Sequence, residues 1–535
     1  MGYVRDMTID GLMENKPQLL WASHYLSALA KALMDDAELG NDALSFGLPG
    51  LAYSWARPLP QCAPSISLAG SAPGRSSLVL RRRRHRQPEN NNKNMEHTMR
   101  HKLACTLALL FAAPVTQAYE LYNHDGTTLN ADIEALFGAF HSDESFNLAG
   151  NRKPGSTAWQ EGYVKYGLSG SQALADSGAL YGAFNLLSSA TWGDGDAAGL
   201  TLGDERRTAI EDLYLGWRSA NLFPALGEDG VNISGGRQVV TLGDGFLIQG
   251  DPVNLGKVDL GANFDRGGAY YLAARKAFDS TAVLRLGGKQ GWRSDLMWLK
   301  SDNHYQADTS LAVANLEHVA EAGTVGLSWI RGLDVDQRYA QIMGLEHRDG
   351  MDTASLRGRG NLGVKDLELA AEYVTQDKTG GRENAWYLEG NWTFSELPWS
   401  PTATYRYSRF SEDFDPLFYG LSRGYGTWFQ GEVAANYAGP FNSNSQVHHV
   451  ALKGKPRDNL TVGALYFDFD TLDTDQGNLG GRELDLYVEW MVNDHLLISP
   501  LVGFYKPERS AANGGTQLGG RDTGTYMQLI VGTFF

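Results

Sequence analysis

The chain has 535 residues, a formal net charge of −16, 20% charged and 11% aromatic residues, 63 glycines and two cysteines. So few cysteines exclude a disulfide scaffold, the aromatic content argues against disorder, and the acidic balance argues against a nucleic-acid partner. No apolar run approaches the roughly 18 residues a membrane helix needs, so the open classes are a soluble all-β or α+β protein and an outer-membrane β-barrel, with high Gly, Tyr and Trp favouring the barrel.

Residues 1–94 differ in composition from the rest of the chain: a Pro/Ser/Gly-rich stretch near 58–74, the basic block Arg81–Arg86, and the polar run Asn90–Asn94. From Met95 or Met99 the pattern changes. Arg100, His101 and Lys102 form a positive n-region, Leu103–Ala113 an apolar core, and Thr116-Gln117-Ala118 supplies small residues at the −3 and −1 positions of a cleavage site. Residues 95–118 therefore read as a secretory signal peptide. Because a signal must lead, residues 1–94 are expected to be an upstream, unstructured extension from a misplaced start. The Arg81–Arg86 block would otherwise read as a nucleic-acid or import patch. The predicted mature chain, 119–535, contains no cysteine, which suits export through an oxidising periplasm. It holds 33 Lys and Arg against 53 Asp and Glu, a net charge of −20.

After Thr128 the dominant signal is period two. In 129–139, Leu129, Ala131, Ile133, Ala135, Phe137 and Ala139 oppose Asn130, Asp132 and Glu134. In 209–218, Leu213, Leu215 and Trp217 oppose Asp212, Tyr214 and Arg218. Trp386, Leu388 and Trp392 oppose Tyr387, Glu389 and Asn391, and Leu484, Leu486, Val488 and Trp490 oppose Glu483, Asp485, Tyr487 and Glu489. Similar segments fall near 160–169, 179–190, 230–241, 268–278, 280–288, 310–320, 353–361, 367–376, 400–410, 425–438, 445–456, 460–471 and 496–507, with weaker ones near 292–300 and 338–346. Strands of about ten residues suit a tilted bilayer crossing, whereas soluble strands average about five or six. The number is expected to be even, between 16 and 20, with 18 best. Trp217, Trp329, Trp392, Trp490 and Tyr407 lie on apolar faces near segment ends, where an amphipathic ring meets the headgroups. Met527, Leu529, Val531, Thr533 and Phe535 share the face of a last strand that ends on an aromatic. Such an ending resembles the signal read by outer-membrane insertion machinery.

Two motifs point to a family. Gly236-Arg237-Gln238-Val239-Val240-Thr241-Leu242-Gly243-Asp244-Gly245-Phe246-Leu247-Ile248 and Phe414-Asp415-Pro416-Leu417-Phe418-Tyr419-Gly420 resemble two segments of the alginate-export outer-membrane porin family. The likeness extends loosely from the early N-A-D-I-E strand to the terminal Phe. One departure is Phe246, where many members carry a polar residue or Arg. The resemblance implies an 18-stranded transmembrane antiparallel β-barrel over 119–535 with a narrow, Arg-rich lumen passing an anionic polysaccharide.

Charge on the lipid face near the midplane costs ~2–4 kcal/mol for Arg or Lys, so charged alternates belong inside. Opposing each apolar face places Arg218, Arg285, Arg357, Arg359 and Arg406 in the lumen with the motif's Arg237, and Arg275 and Arg409 less firmly. Arginine forks bind carboxylates bidentately, and rings of Arg select anions. The competing reading pairs these arginines with lumenal acids such as Asp212, Glu368, Glu372 and Glu389, merely bracing the wall. Arg357 and Arg359 share a face with no acid between them, which favours the anion path there.

No G-x-S-x-G element, metal-ligand spacing or phosphate loop is present in the sequence, and His448-His449 are strand neighbours that point to opposite faces. The expectation is therefore an outer-membrane porin and not an enzyme, with no cofactor and no nucleic-acid partner. Its cargo would be an alginate-like polysaccharide. Membrane lipid, lipopolysaccharide, the insertion machinery and periplasmic export partners would surround it. Alternatives are a general or small-anion uptake porin and, from another class, a barrel enzyme or structural adhesin.

Overall fold

A computed structural model describes residues 119–259, 263–420, 424–426, 429–475 and 477–535. The extension 1–94 and the signal peptide 95–118 lie outside the described residues. Eighteen strands, from Thr127–Ser142 to Gly524–Phe534, pair antiparallel in chain order and close into a barrel. Closure is made by Thr127–Ser142, which pairs with Thr157–Ala173 on one edge and with Gly524–Phe534 on the other. The rest of that second edge is covered by a nineteenth strand, Tyr119–His124. The terminal Phe535 is tied in by N–H to Ile133 O at 2.7 Å.

Alternation sorts the two faces. Leu213, Leu215, Leu327, Leu356, Leu388, Leu452 and Leu486 stand exposed on the outer wall, while their strand neighbours Asp212, Ser328, Ser355, Glu389 and Asp485 are buried inside. A belt of this extent has only lipid as a stable neighbour. Its rims carry the aromatic residues: Trp217 Nε1 donates to Ser177 O at 2.9 Å at one end, and Trp329 Nε1 to Asp352 Oδ1 at 3.1 Å at the other. Each ring thus keeps its apolar body in the belt and its polar tip on a partner at the rim.

The two ends differ. One has tight turns such as Asp125-Gly126, both at positive φ as a two-residue hairpin requires, and Asp458-Asn459 between paired strands. The other carries long connections, with Thr379-Gly380 as a tight exception. In barrels of this kind short turns face the periplasm and long loops the outside.

Five segments bear on the periodicity expected from the sequence. Gly323–Asp334 is a strand that the alternation did not mark, because Gly326 and Ile330 occupy inward positions where polar residues would show the period. Gly291–Lys300 is a full wall strand. Residues 338–346 are not a strand: Gln337–Met343 forms a short helix, capped by the Asp336 carboxylate accepting from Arg338 N and Tyr339 N and ended by Gly344 at φ 67°. Most of 268–278 and all described residues of 425–438 leave the wall and fold into the lumen.

A bulge in Arg206–Arg218 carries a consequence. The register slips opposite Asn185/Leu186, so Glu211 and Asp212 both point inward. Strict alternation would have placed Glu211 against lipid. Turned inward, it accepts from Lys276 N at 2.7 Å and Ala277 N at 2.8 Å and contacts Arg275 Nε at 3.3 Å. Removing one partner of a buried ion pair costs about 3–5 kcal/mol. Glu211→Ala is therefore expected to lower the urea midpoint of the detergent-solubilised barrel clearly, and Glu211→Gln less. An unchanged midpoint would show that the bulge is not a structural anchor.

Candidate functional site

Two loop-end connections, 239–277 and 411–444, dive into the barrel and meet there. Phe418 N–H donates to Leu247 O at 3.0 Å, Gln249 N–H to Phe418 O at 2.8 Å and Gly420 N–H to Gly245 O at 2.9 Å. The two sequence motifs, far apart in the chain, are thus zipped backbone to backbone in the lumen. Phe246 sits at the centre of this junction, its ring 5.1 Å from Tyr387, 5.5 Å from Phe429 and 5.7 Å from Phe410. Where a polar or Arg residue would face a water-filled path, this chain builds an aromatic box.

The infolds are held by charge as well as by rings. Arg348 forks onto Asp415, Nε to Oδ2 at 2.7 Å and Nη2 to Oδ1 at 2.8 Å, and His347 Nε2 lies 2.8 Å from the same Oδ2. Asp415 is also fixed through its backbone, which exchanges two hydrogen bonds with the Gln376 amide. Burial alone would raise the Asp415 carboxyl, but Arg348 and then His347 overcome it and hold it well below the usual carboxylate range. On the first infold, Arg266 and the wall residue Arg237 share Asp302, each at 2.8 Å. Burial is again outweighed by these guanidinium groups, and Asp302 lies well below its ordinary value. Neither clasp was visible as a motif, because its partners come from segments far apart in the chain.

The six nominated arginines are all ion-paired. Arg237 meets Asp279 at 2.9 Å as well as Asp302. Arg357 donates Nη2 to Glu317 Oε2 at 2.9 Å and to Asn315 Oδ1 at 2.7 Å. Arg359 lies between Glu368 at 3.1 Å and Asp244 at 3.4 Å. Arg406 pairs with Glu389 at 3.3 Å and stacks on Phe429 with its guanidinium 4.2 Å from the ring centroid. Arg285 faces Asp295 at 3.7 Å. Arg218 lies near the short-turn end, 3.8 Å from Asp229. The acids absent between Arg357 and Arg359 along their strand arrive from neighbouring strands and from the infold. Gly243 leaves room for Arg357, since a Cβ there would fall 2.7 Å from its Nε. Arg275 is buried in the infold against Glu211, and Arg409, between inward Ser408 and Phe410, is on the outer face near the loop end.

Below the infolds, toward the short-turn mouth, the lumen opens into a cavity of about 570 Å³. Its floor and walls carry both signs of charge, with Arg359, Glu368, Glu389 and Arg406 among the lining residues, and Phe429 and Glu432 reach in from the second infold. Ring pairs flank it: Tyr425 on Tyr487 at 3.9 Å and His449 on Phe467 at 4.2 Å.

The fold and its lumen define a transmembrane β-barrel of eighteen strands with a loop-constricted interior. No family model matches the chain, and no curated protein matches it. Among solved structures it is similar to Pseudomonas aeruginosa OprD, with 13% identity over 79% of this chain and 98% of that one and a TM-score of 0.46. P. aeruginosa OccK7 (OpdD) gives 13% identity, 77% and 99% coverage and a TM-score of 0.46. Acinetobacter baumannii OccAB4 gives 11%, 78%, 99% and 0.46. These values are too low to assign a family, and the barrel architecture stands on the strand pairing.

Proposed function

We propose that the chain is an outer-membrane channel for small polar solutes, the general uptake reading rather than export of an anionic polymer. The observation that carries this is the pairing of every one of the six nominated arginines with a carboxylate, in a lumen narrowed by an aromatic junction of two infolded loops. A polyuronate path would need guanidinium groups free to exchange carboxylates along its length. Here those groups are already satisfied from within. The cavity beneath the infolds presents both charges and flat rings, which suits solutes that carry opposite charges or an apolar flank. An 18-stranded wall is wide enough for an aqueous path, and the infolds set its bore. No chemistry of bond making is called for in this reading.

In planar bilayers the protein should give small, weakly ion-selective conductance steps, and proteoliposomes should swell in zwitterionic solutes of low mass but not in uronate oligomers. Strong anion selectivity blocked by polyuronate would overturn the proposal in favour of polymer export. Arg359 is half exposed at the cavity and outside the tight clasps, so Arg359→Glu should shift the reversal potential modestly toward cations. An unchanged potential would remove that residue from the path.

A further inference from the structure

Just beyond the apolar belt at the loop end, the outer wall carries four cations around one shallow cavity of about 750 Å³: Arg482, Lys506, Arg509 and Arg521, with Glu508 and Asp522 at its margin. Their placement is unusual in a chain of such acidic balance. Arg482 and Lys506 stand directly opposite one another on paired strands, and the next outward pair down is Leu484 and Phe504, both exposed in the belt. Like charges directly opposite destabilise a sheet, so this pair is a local conflict that a bound anion would relieve. The surrounding protein relieves it only on the Arg482 side, where Asp468 stands opposite on the next strand. Arg482 has Asp468 at 3.4 Å, and Arg521 donates to the backbone oxygen of Glu508 at 3.3 Å. Among the described residues, Lys506 and Arg509 form no ion pair. Glu508 turns its carboxylate to the Asn478 amide at 2.8 Å. The contrast with the lumen lies in Lys506 and Arg509: the inner arginines are neutralised pair by pair, and among the described residues these two outer cations have no carboxylate partner.

We propose that this cavity binds a phosphate group of lipid A, the acylated glycolipid of the outer leaflet, with its acyl chains laid along the belt below. The site rests on the outer-membrane placement of the channel reading. Two features select a phospholipid-type ligand over free phosphate. The cations sit at the edge of the apolar wall, and Leu484 and Phe504 continue directly beneath them as a surface for hydrocarbon. Lysine and arginine are the expected phosphate partners in such a setting.

The test is retention of lipid A by the purified full barrel in mild detergent, read by native mass spectrometry, for the wild type, Lys506→Glu and the double variant K506Q/R509Q. Lys506→Glu converts a like-charge cross-strand pair into an opposite one, so folding should not suffer, and retained heat-modifiable mobility on gels verifies a closed barrel. The expected result is a loss of diphosphoryl lipid A affinity on the order of tenfold, the scale of one charge-assisted hydrogen bond, in both variants. Dephosphorylated lipid A should bind the wild type as weakly as the variants, and inorganic phosphate should not displace the lipid at equal concentration. Equal retention by wild type and variants, indifference to the phosphates, or ready displacement by inorganic phosphate each overturns the proposal. Conductance measured on the same samples separates the two readings. A silent wild type that still holds lipid A selectively sinks the channel reading and leaves this site standing, whereas a conducting protein with no phosphate-dependent retention does the reverse.

Discussion

Arg348→Ala is expected to raise single-channel conductance several-fold and to make the 411–444 infold accessible to protease while the barrel stays closed. The guanidinium donates two short bonds to the buried Asp415, a third to Gln306 Oε1 at 2.7 Å, and lies over Phe418. Removing it leaves the buried carboxylate with His347 and the Leu417 N–H as partners in place of a bidentate guanidinium, at a cost of up to about 3–5 kcal/mol. Only the infold needs to move to rehydrate that charge, since the wall strands keep all their ladder bonds. Release of the Phe414–Gly420 motif also unzips the first infold at Leu247 and Gly245. The bore should then widen to what the first infold, still held by Asp302 and Glu211, leaves open. Conductance and proteolysis indistinguishable from wild type would show that the aromatic junction holds without its clasp. Mild acid should not mimic the substitution. Asp415 is depressed by Arg348 and His347 against the pull of burial, so its contribution is complete above the ordinary carboxylate value of about 3.9 and is lost only as pH falls through its lower folded value.

Rising pH should act on the same loop from the opposite direction, through Glu432. Burial raises its carboxyl to about 8, with Glu483 adding to the rise and a hydrogen bond from Tyr271 opposing it. Asp485 faces it as a second acid. A raised carboxyl means the docked loop binds a proton that the released loop gives up. Docking is therefore unpenalised below the ordinary value of about 4.3. It weakens by about 1.4 kcal/mol per pH unit above that, and the penalty levels off once pH passes the folded value near 8. Wild-type channels should accordingly become larger and noisier between pH 5 and 8. Glu432→Gln, neutral at every pH, should stay quiet across that range. A wild type with flat conductance, or a variant with the same pH response, would assign the titration elsewhere.

Most of the wall was legible residue by residue because lipid enforces period two along each strand, broken only where a bulge such as that at Glu211 slips it: Leu484 and Leu486 had to face out and Glu483 and Asp485 in. The lumen was not legible in the same way. The stretches 268–278 and 425–438 alternate well enough to read as strands, yet they carry Ala269, Ala273, Ala274, Ala434, Ala435 and Ala438, small residues that let a chain lie close inside a barrel. Their apolar partners are inner-wall rings such as Trp159 and Tyr526, on which Tyr437 packs, and not lipid. The helix Gln337–Met343 did announce itself through Asp336 and Gly344, a cap and a stop that periodicity alone passes over. The motifs marked Gly236–Ile248 and Phe414–Gly420 as special, but no spacing in one dimension says that they touch.

What chain order and residue type settled, then, was the barrel: its existence, a strand number between 16 and 20, and most of the side chains that meet lipid, because burial in hydrocarbon penalises a misplaced charge locally and so writes itself into each strand. What the three-dimensional closure added was the character of the interior. Whether Arg357, Arg359 or Arg406 is a free cation or half of a pair depends on Glu317, Asp244, Glu368 and Glu389, which belong to other strands and to the infold. Electrostatic neutralisation acts through space over a few ångströms, and the chain brings those groups within reach only when the wall is shut and the loops have folded in.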